Sequence, residues 1–257
     1  ITVLIYMSSN PSLPTVEIDF FNSIKSKIEV LFDIGSRDDV DYLKNSMDSS
    51  REFHLFEADP QFLRGCYDQL NELDTPDDIN NVVYLNDCGV GEKEGQMEYY
   101  PNTQSFVFRK IHTQSYSQGV SFPVKTLDGY CVEKNISEID FLKVDIEGME
   151  IDVFNGGKDI INNGTNIVQF EFASTMLDRD LNPDDLVRWF DKDIWSLFLL
   201  RVEPEHPYYS ENTQVLTRLD DKIYQRIRQD MIEASGCNLV AVKNELADEI
   251  YNLANNL

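Results

Sequence analysis

The sequence is poor in basic residues. Lys and Arg together number 22 in 257 residues, against 46 Asp and Glu, and the formal net charge is −24. Phosphate backbones and anionic lipid headgroups are normally bound by clustered Lys and Arg. The balance of charge therefore disfavours nucleic acid and anionic membrane surfaces as partners, and a neutral or cationic partner is the natural expectation.

Cysteine is also scarce, and there is no long apolar run. The cysteines stand far apart, with no CxxC pair among them: Cys66, Cys88, Cys131 and Cys237. This spacing argues against a structural zinc site and a disulfide framework, so we expect a reducing, cytoplasmic location. The apolar opening, Ile1–Met7, is too short to span a bilayer and has no basic flank, which predicts no membrane insertion. A start at Ile rather than Met is consistent with a domain taken from a longer protein.

Short β-rich runs alternate with polar stretches of helical length, which is typical of βαβ units around a mainly parallel sheet. Seven strands are predicted: Glu29–Ile34, Glu52–Phe56, Asn81–Leu85, Ile139–Asp145, Asn166–Phe172, Trp195–Val202 and Asn238–Val242. Helices are predicted between and after them: Asp38–Ser46, Pro60–Glu72, Met149–Asn155, Asp184–Phe190, Asp221–Glu233 and Asn244–Asn255. We therefore expect one α/β domain over residues 1–257, with a core over about 29–243. Its predicted fold is a Rossmann-like, doubly wound, seven-stranded, mostly parallel sheet.

The first strand ends in Asp33-Ile34-Gly35-Ser36. Open α/β sheets bind ligands beyond the carboxyl ends of their strands, and a glycine at that turn lets the backbone approach a ligand closely. Asp33 could accept a hydrogen bond from a ligand ammonium, and Gly35 and Ser36 would lie beside it. A helix N-cap in a tight turn would use the same residues.

Glu57 ends the second strand, about two dozen residues after Asp33. An acidic residue at that distance can receive both hydroxyls of a ribose. The glycine pattern that admits a pyrophosphate is missing, because Asp38 and Asp39 follow the turn. A cofactor with a sulfonium cation and no phosphate, S-adenosylmethionine, fits this arrangement. Asp87, just after the third strand, is a further candidate for the cofactor site.

The most informative segment is Ile139–Glu150. An apolar strand delivers Lys143, Asp145 and Glu147 to the edge of the sheet, and alternation places Lys143 and Asp145 on one face. Burying a carboxylate is costly unless it is paired or holds a metal, so these charges predict a catalytic role. A structural ion pair with a helix cap is the alternative.

Glu171 lies near the end of the next strand. Carboxylates on neighbouring strand ends are about 5 Å apart, so Asp145 and Glu171 could share Mg²⁺ or Mn²⁺. Equally, one of them could act alone as a general base. His112, in the irregular stretch over about 91–119, is another candidate base, although a solvated loop histidine has the same sequence pattern.

These segments resemble the FkbM family of methyltransferases. The matching motifs fall in the family's order over about Leu31–Lys243, and the most specific is D-x-x-K-x-D-x-E-G-x-E within Ile139–Glu150. The resemblance implies a class I methyltransferase fold and methyl transfer from S-adenosylmethionine to a hydroxyl of a sugar, a glycan or a secondary metabolite. It implies cofactor contacts for Asp33, Gly35 and Glu57. One difference is Asp39, where many members have a second glycine, and this reduces the room beside the cofactor.

Two other functions fit parts of the pattern. An apolar strand ending in Asp145-Ile146-Glu147 is similar to the acidic motifs of metal-dependent glycosyltransferases, although few basic residues are available for a diphosphate. Asp39 at a glycine position is also compatible with a non-catalytic interaction domain that keeps the fold. The acceptor and the oligomeric state are not predicted.

Overall fold

The computed structural model describes residues 15–73, 79–99, 120–179, 181–201, 214–232 and 236–256. Strands within these ranges are β1 (Val30–Ile34), β2 (Glu52–Phe56), β3 (Val82–Asn86), β4 (Gly89–Val90), β5 (Gly95–Tyr99), β6 (Val120–Lys125), β7 (Ile139–Val144), β8 (Thr165–Phe172), β9 (Trp195–Leu200), β10 (Leu216–Arg218) and β11 (Cys237–Lys243). The α-helices there are α1 (Thr15–Ile24), α2 (Asp41–Lys44), α3 (Pro60–Glu72), α4 (Leu127–Lys134), α5 (Glu150–Gly156), α6 (Lys158–Gly164), α7 (Pro183–Arg188), α8 (Asp221–Ile232) and α9 (Ala247–Asn255).

The main sheet has eight strands in the order β10-β9-β11-β8-β7-β1-β2-β3. The chain runs outward from β1 through β2 to β3 and then returns to the other side of β1 at β7. These strands and β8 are parallel, whereas β11 is antiparallel to both β8 and β9. The order confirms the doubly wound, mostly parallel sheet of the class I methyltransferase fold, and β10 adds one strand to the seven predicted.

Several helices differ from the sequence prediction. The helix predicted over Asp38–Ser46 is only the single turn of α2, and α1, α4 and α6 were not predicted. α3 has the predicted ends, because Pro60 occupies its first turn and the Asp59 carboxylate accepts a 2.7 Å hydrogen bond from the Gln61 amide. The signal for α4 is weaker, since Gly129 interrupts it, but the Thr126 hydroxyl caps the helix with a 3.1 Å bond from the Gly129 amide.

Each face of the main sheet is covered by helices, and the strand period decides which residues each face presents. On one face Phe141 packs against Phe20 and Phe21 of α1, with both ring centroids 6.2 Å away. On the other, Phe170 packs edge-on against Phe154 of α5 at 5.4 Å. Asp33 and Lys143 are neighbours in register and share the α1 face, so their charges lie under α1. Within the described residues, the model contains no helix with the length and apolarity that a membrane crossing requires.

The small second sheet has the order β4-β6-β5, with β6 parallel to β4 and antiparallel to β5. Its apolar residues Phe122 and Val124 pack with Ala58, which follows β2. The antiparallel β5–β6 pair accounts for part of the stretch predicted to be irregular. The small sheet therefore forms one wall above the carboxyl end of β2.

Candidate active site

The turn after β1 brings the backbone of two strand ends into contact. Gly35 has φ +88°, and a Cβ there would lie 2.0 Å from the carbonyl oxygen of Asp145. Its amide donates to the Phe56 carbonyl at 3.0 Å, which ties the turn to the end of β2. Only glycine fits this conformation and this approach. The D-x-G motif thus joins the ends of β1, β2 and β7.

Glu57 lies at the end of β2 with both carboxylate oxygens held by backbone amides. One accepts from Arg37 at 2.8 Å and the other from Asp59 at 2.7 Å. Burial raises the pKa of Glu57 to about 7, although these amides oppose the shift. Each oxygen keeps a second lone pair, so Glu57 can also accept hydrogen bonds from a ligand.

Gly35 and Glu57 line a concave pocket, which we call the β1–β2 pocket; its empty space, open solvent included, is about 400 Å³. Its other walls are mainly apolar: Ile34, Phe56, Ala58, Cys88, Gly89, Val90, Met97, Phe122, Val124, Ile146 and Met149. One carboxylate among apolar walls is the usual composition of a small-molecule site.

Three predicted cofactor residues, Asp33, Ser36 and Asp87, are not among the described residues that line this pocket. The Ser36 hydroxyl is buried and points to the Phe56 carbonyl at 3.4 Å, and Asp87 is exposed beside Cys88. The Asp39 carboxylate accepts a 2.6 Å bond from the Asp41 amide, so it starts the turn of α2. The residue at the family's glycine position therefore has a local structural role.

Lys143 is the centre of the charged group at the end of β7. Its Nζ lies 3.3 Å from Asp145 Oδ2 and 3.7 Å from Asp33 Oδ1, and its side chain is only 3% exposed. Burial alone would lower the pKa of Lys143, but the carboxylates of Asp33, Asp145 and Glu17 outweigh it and raise that pKa. Lys143 is thus a buried ammonium, while Asp145 is 31% exposed at the edge of the site.

The turn between β7 and α5 depends on the second glutamate of the motif. The carboxylate of Glu150 is buried and accepts hydrogen bonds from the Ile146 amide at 3.1 Å and the Gly148 amide at 3.2 Å. Glu147 and Gly148 have positive φ angles of 58° and 100°. Glu150 therefore holds the turn, and Glu147 lies partly buried within it.

Glu171 lies on β8 next to the end of β7. Its Oε2 is buried and has no hydrogen-bond partner among the described residues. Burial raises the pKa of Glu171 well above its usual range, and the negative charges of Asp145 and Glu147 add to the effect. The charge of Asp145 thus acts on Glu171, while the joint role predicted for the two carboxylates stays a prediction.

Three polar residues on the α1 face were not predicted as site residues. Glu17 of α1 accepts hydrogen bonds from Gln169 Nε2 at 2.7 Å and Asn238 Nδ2 at 3.2 Å. Gln169 is the Cα partner of Lys143 across β7 and β8. A glutamine within the apolar run of β8 was the available signal; nothing in the sequence marks Glu17. We call these three residues, with Asp33, Lys143, Asp145 and Glu171, the Lys143 cluster.

The structure does not confirm two further predictions, the base at His112 and the metal site at Asp145 and Glu171. His112 lies outside the described residues. Among those residues, no group of three or more His, Cys, Asp or Glu side chains is placed to hold a metal ion. The Asp145–Glu171 metal site stays a prediction.

Known proteins resemble this chain in sequence and in fold. The family model described as the methyltransferase FkbM domain matches residues 33–207, which is more than half of the chain. The 2-O-methyltransferase NoeI of Sinorhizobium fredii (strain NBRC 101917 / NGR234) is 23% identical over 185 residues, covering 64% of this chain and 73% of that protein.

Solved structures give matches at lower identity. Methyltransferase FkbM from Methylobacillus flagellatus KT is 14% identical with a TM-score of 0.44, covering 83% of this chain but only 44% of that one, so the present chain spans less than half its length. SMU.1697c, a proposed methyltransferase from Streptococcus mutans in complex with SAH, is 10% identical with a TM-score of 0.45, covering 89% and 96% of the two chains. On the extent of the family match, the chain belongs to the FkbM methyltransferase domain family.

Proposed function

We propose that this chain is an S-adenosylmethionine-dependent O-methyltransferase that acts on a hydroxyl of a sugar, a glycan or a secondary metabolite. The observation that carries the proposal is the contact between Gly35 and the Asp145 backbone. It places the β1–β2 pocket directly beside the Lys143 cluster. This arrangement supports a cofactor site and a proton-transfer site that share one edge of the sheet.

The residues of the β1–β2 pocket suit S-adenosylmethionine. Glu57 would hold the ribose hydroxyls, the apolar walls around Phe122 and Ile146 would hold the adenine, and the open turn at Gly35 would admit the rest. When bound, this cofactor supplies an electrophilic methyl group on a sulfonium cation.

The Lys143 cluster would act on the acceptor hydroxyl. Asp145 is partly exposed and its charge is paired with Lys143, so it is the carboxylate best placed to take the hydroxyl proton. Lys143 fixes the position of Asp145 from inside the protein. Glu171, whose pKa is raised by burial, would orient the acceptor from the neighbouring strand. Methyl transfer is an in-line displacement, so correct positioning accounts for much of the rate.

Labelled methyl transfer to hydroxylated acceptors tests these roles. We expect Asp145→Asn to lower kcat by about 10²- to 10⁴-fold, the usual contribution of a general base. Glu171→Gln keeps the side-chain size and an acceptor oxygen and should lose much less. Glu138→Gln, an exposed change before β7, is the matched control. Full activity of Asp145→Asn would overturn the assignment of the base.

Calorimetry with S-adenosylhomocysteine and with a nucleotide diphosphate tests the cofactor. We expect the first to bind and the second not to bind; the reverse would favour a glycosyltransferase. Repeating the methyl-transfer assay with EDTA, and then with added Mg²⁺ or Mn²⁺, tests the predicted metal at Asp145 and Glu171.

A further inference from the structure

The inner end of the Lys143 cluster contains two amides with an unusual arrangement. The carboxylate of Glu17 is 2% exposed and accepts from the amide nitrogens of Gln169 and Asn238, one at each oxygen. The NH₂ groups of both amides point to the Glu17 carboxylate. The amide oxygens of Gln169 and Asn238 therefore face away from it.

Both of these oxygens are buried without a hydrogen-bond partner in the part of the chain that the structure describes, and so is Glu171 Oε2. Asn238 lies opposite Glu171 in the register of β11 and β8, and Gln169 lies two residues before Glu171. All three side chains are on the α1 face. Unpaired polar atoms in a protein interior are costly, so three on adjacent strands call for a partner.

The three residues differ in depth. Glu171 and Asn238 are partly exposed, as is Asp145, whereas Gln169 is fully buried. A group that enters from the edge of the sheet would meet Glu171 and Asn238 first and Gln169 last. The unpartnered oxygens thus lie at increasing depth from the carboxyl end of β8.

We propose that Gln169, Glu171 and Asn238 form a subsite that accepts hydrogen bonds from hydroxyl groups of the acceptor next to the one that is methylated. The ligand class is a polyhydroxylated molecule such as a sugar ring. This inference rests on the proposed function, because it assigns the acceptor side of the same site.

Two of the three oxygens belong to neutral amides, which suits a neutral hydroxyl donor. The ammonium group of the cofactor is the competing donor, and the affinity of each variant for S-adenosylhomocysteine separates it from an acceptor hydroxyl.

The test uses the full chain and methyl transfer to the methyl glycosides of glucose, galactose and mannose, each with its monodeoxy analogues. Gln169→Met keeps the side-chain length and removes the oxygen, and Asn238→Ala is a second variant at a partly exposed position. Gln61→Met, on the exposed surface of α3, is the matched control. Calorimetry measures the affinity of each variant for S-adenosylhomocysteine.

We expect at least one glycoside to be methylated, and its KM to rise about tenfold in Gln169→Met and in Asn238→Ala with unchanged affinity for S-adenosylhomocysteine. With the original chain, one deoxy analogue should show the same rise in KM. With the variant, that analogue should show no further rise, because both changes remove the same hydrogen bond.

The proposal is overturned if the variants weaken S-adenosylhomocysteine binding as much as they raise KM, which would assign the oxygens to the cofactor. It is also overturned if no glycoside is methylated while S-adenosylhomocysteine binds. The same holds if every deoxy analogue raises KM by as much in the variants as in the original chain. Failure of S-adenosylhomocysteine to bind would instead contradict the proposed function itself.

Discussion

The β1–β2 pocket and the Lys143 cluster lie side by side but are built in opposite ways. The pocket has apolar walls and one carboxylate, Glu57, whose two oxygens are held by backbone amides. The cluster is polar throughout, and its side chains mostly hold one another, as Glu17 holds Gln169 and Asn238. Backbone amides stay in place when a side chain changes, whereas a side-chain network loses several contacts at once. We therefore expect a substitution in the Lys143 cluster to lower the free energy of unfolding more than a substitution in the β1–β2 pocket.

The largest effect is expected in the cluster. Lys143→Met would leave Asp33, Asp145 and Glu17 without their compensating charge, and breaking a buried pair in this way costs about 3–5 kcal/mol. Urea unfolding measures the loss, with the exposed Lys93→Met as control. A loss of less than about 1 kcal/mol would show that Lys143 contributes no more to the unfolding free energy than a surface ion pair does.

The next largest effect is expected where Gly35 of the pocket meets the backbone of Asp145 in the cluster. Gly35→Ala would need a left-handed backbone and would place a Cβ 2.0 Å from the Asp145 carbonyl oxygen. We expect a loss of about 1–3 kcal/mol in unfolding free energy together with weaker S-adenosylhomocysteine binding. Gly95→Ala is the control, because its Cβ would meet no atom within 4 Å. Equal melting temperatures and equal affinities for S-adenosylhomocysteine in the two variants would contradict a structural link between the pocket and the cluster at Gly35.

A smaller effect concerns the turn beside the cluster. The pKa of Glu150 is raised from 4.5 to about 7 by burial, so the folded chain binds this proton more tightly than the unfolded chain. Its contribution to stability is present below about pH 4.5 and is lost as the pH rises toward 7. Glu150→Gln keeps an acceptor for the two amides and should raise the unfolding free energy at pH 8 by on the order of 1–2 kcal/mol. Denaturation at pH 5 should show a smaller difference, and the same difference at both pH values would refute the explanation.

The smallest effect concerns the pocket. Glu57 has a pKa of about 7, and in the proposed role it would bind ribose hydroxyls best when ionised, so affinity for S-adenosylhomocysteine should rise between pH 6 and pH 8. We expect about a three- to tenfold change by calorimetry, since a charge strengthens a hydrogen bond by about 1 kcal/mol. Glu57→Gln should bind more weakly and lose the pH dependence; if it keeps that dependence, another group is responsible.

The same contrast explains which features could be predicted from the sequence. The pocket residues Gly35 and Glu57 lie in local motifs at strand ends, and the parallel sheet brings strand ends together. The ion pair of Lys143 with Asp145 also follows from strand alternation. Glu17 and Asn238 could not be found in this way, because their contact joins residues 221 positions apart and depends on the packing of α1.

That long separation bears on the order in which the two regions are completed along the chain. The described lining residues of the β1–β2 pocket all precede β8, and the last of them is Met149. Glu17 of α1, in contrast, holds Asn238 of β11, the last strand that the structure describes. The Lys143 cluster is therefore complete only when β11 has joined the sheet, whereas every described lining residue of the pocket is present earlier in the chain.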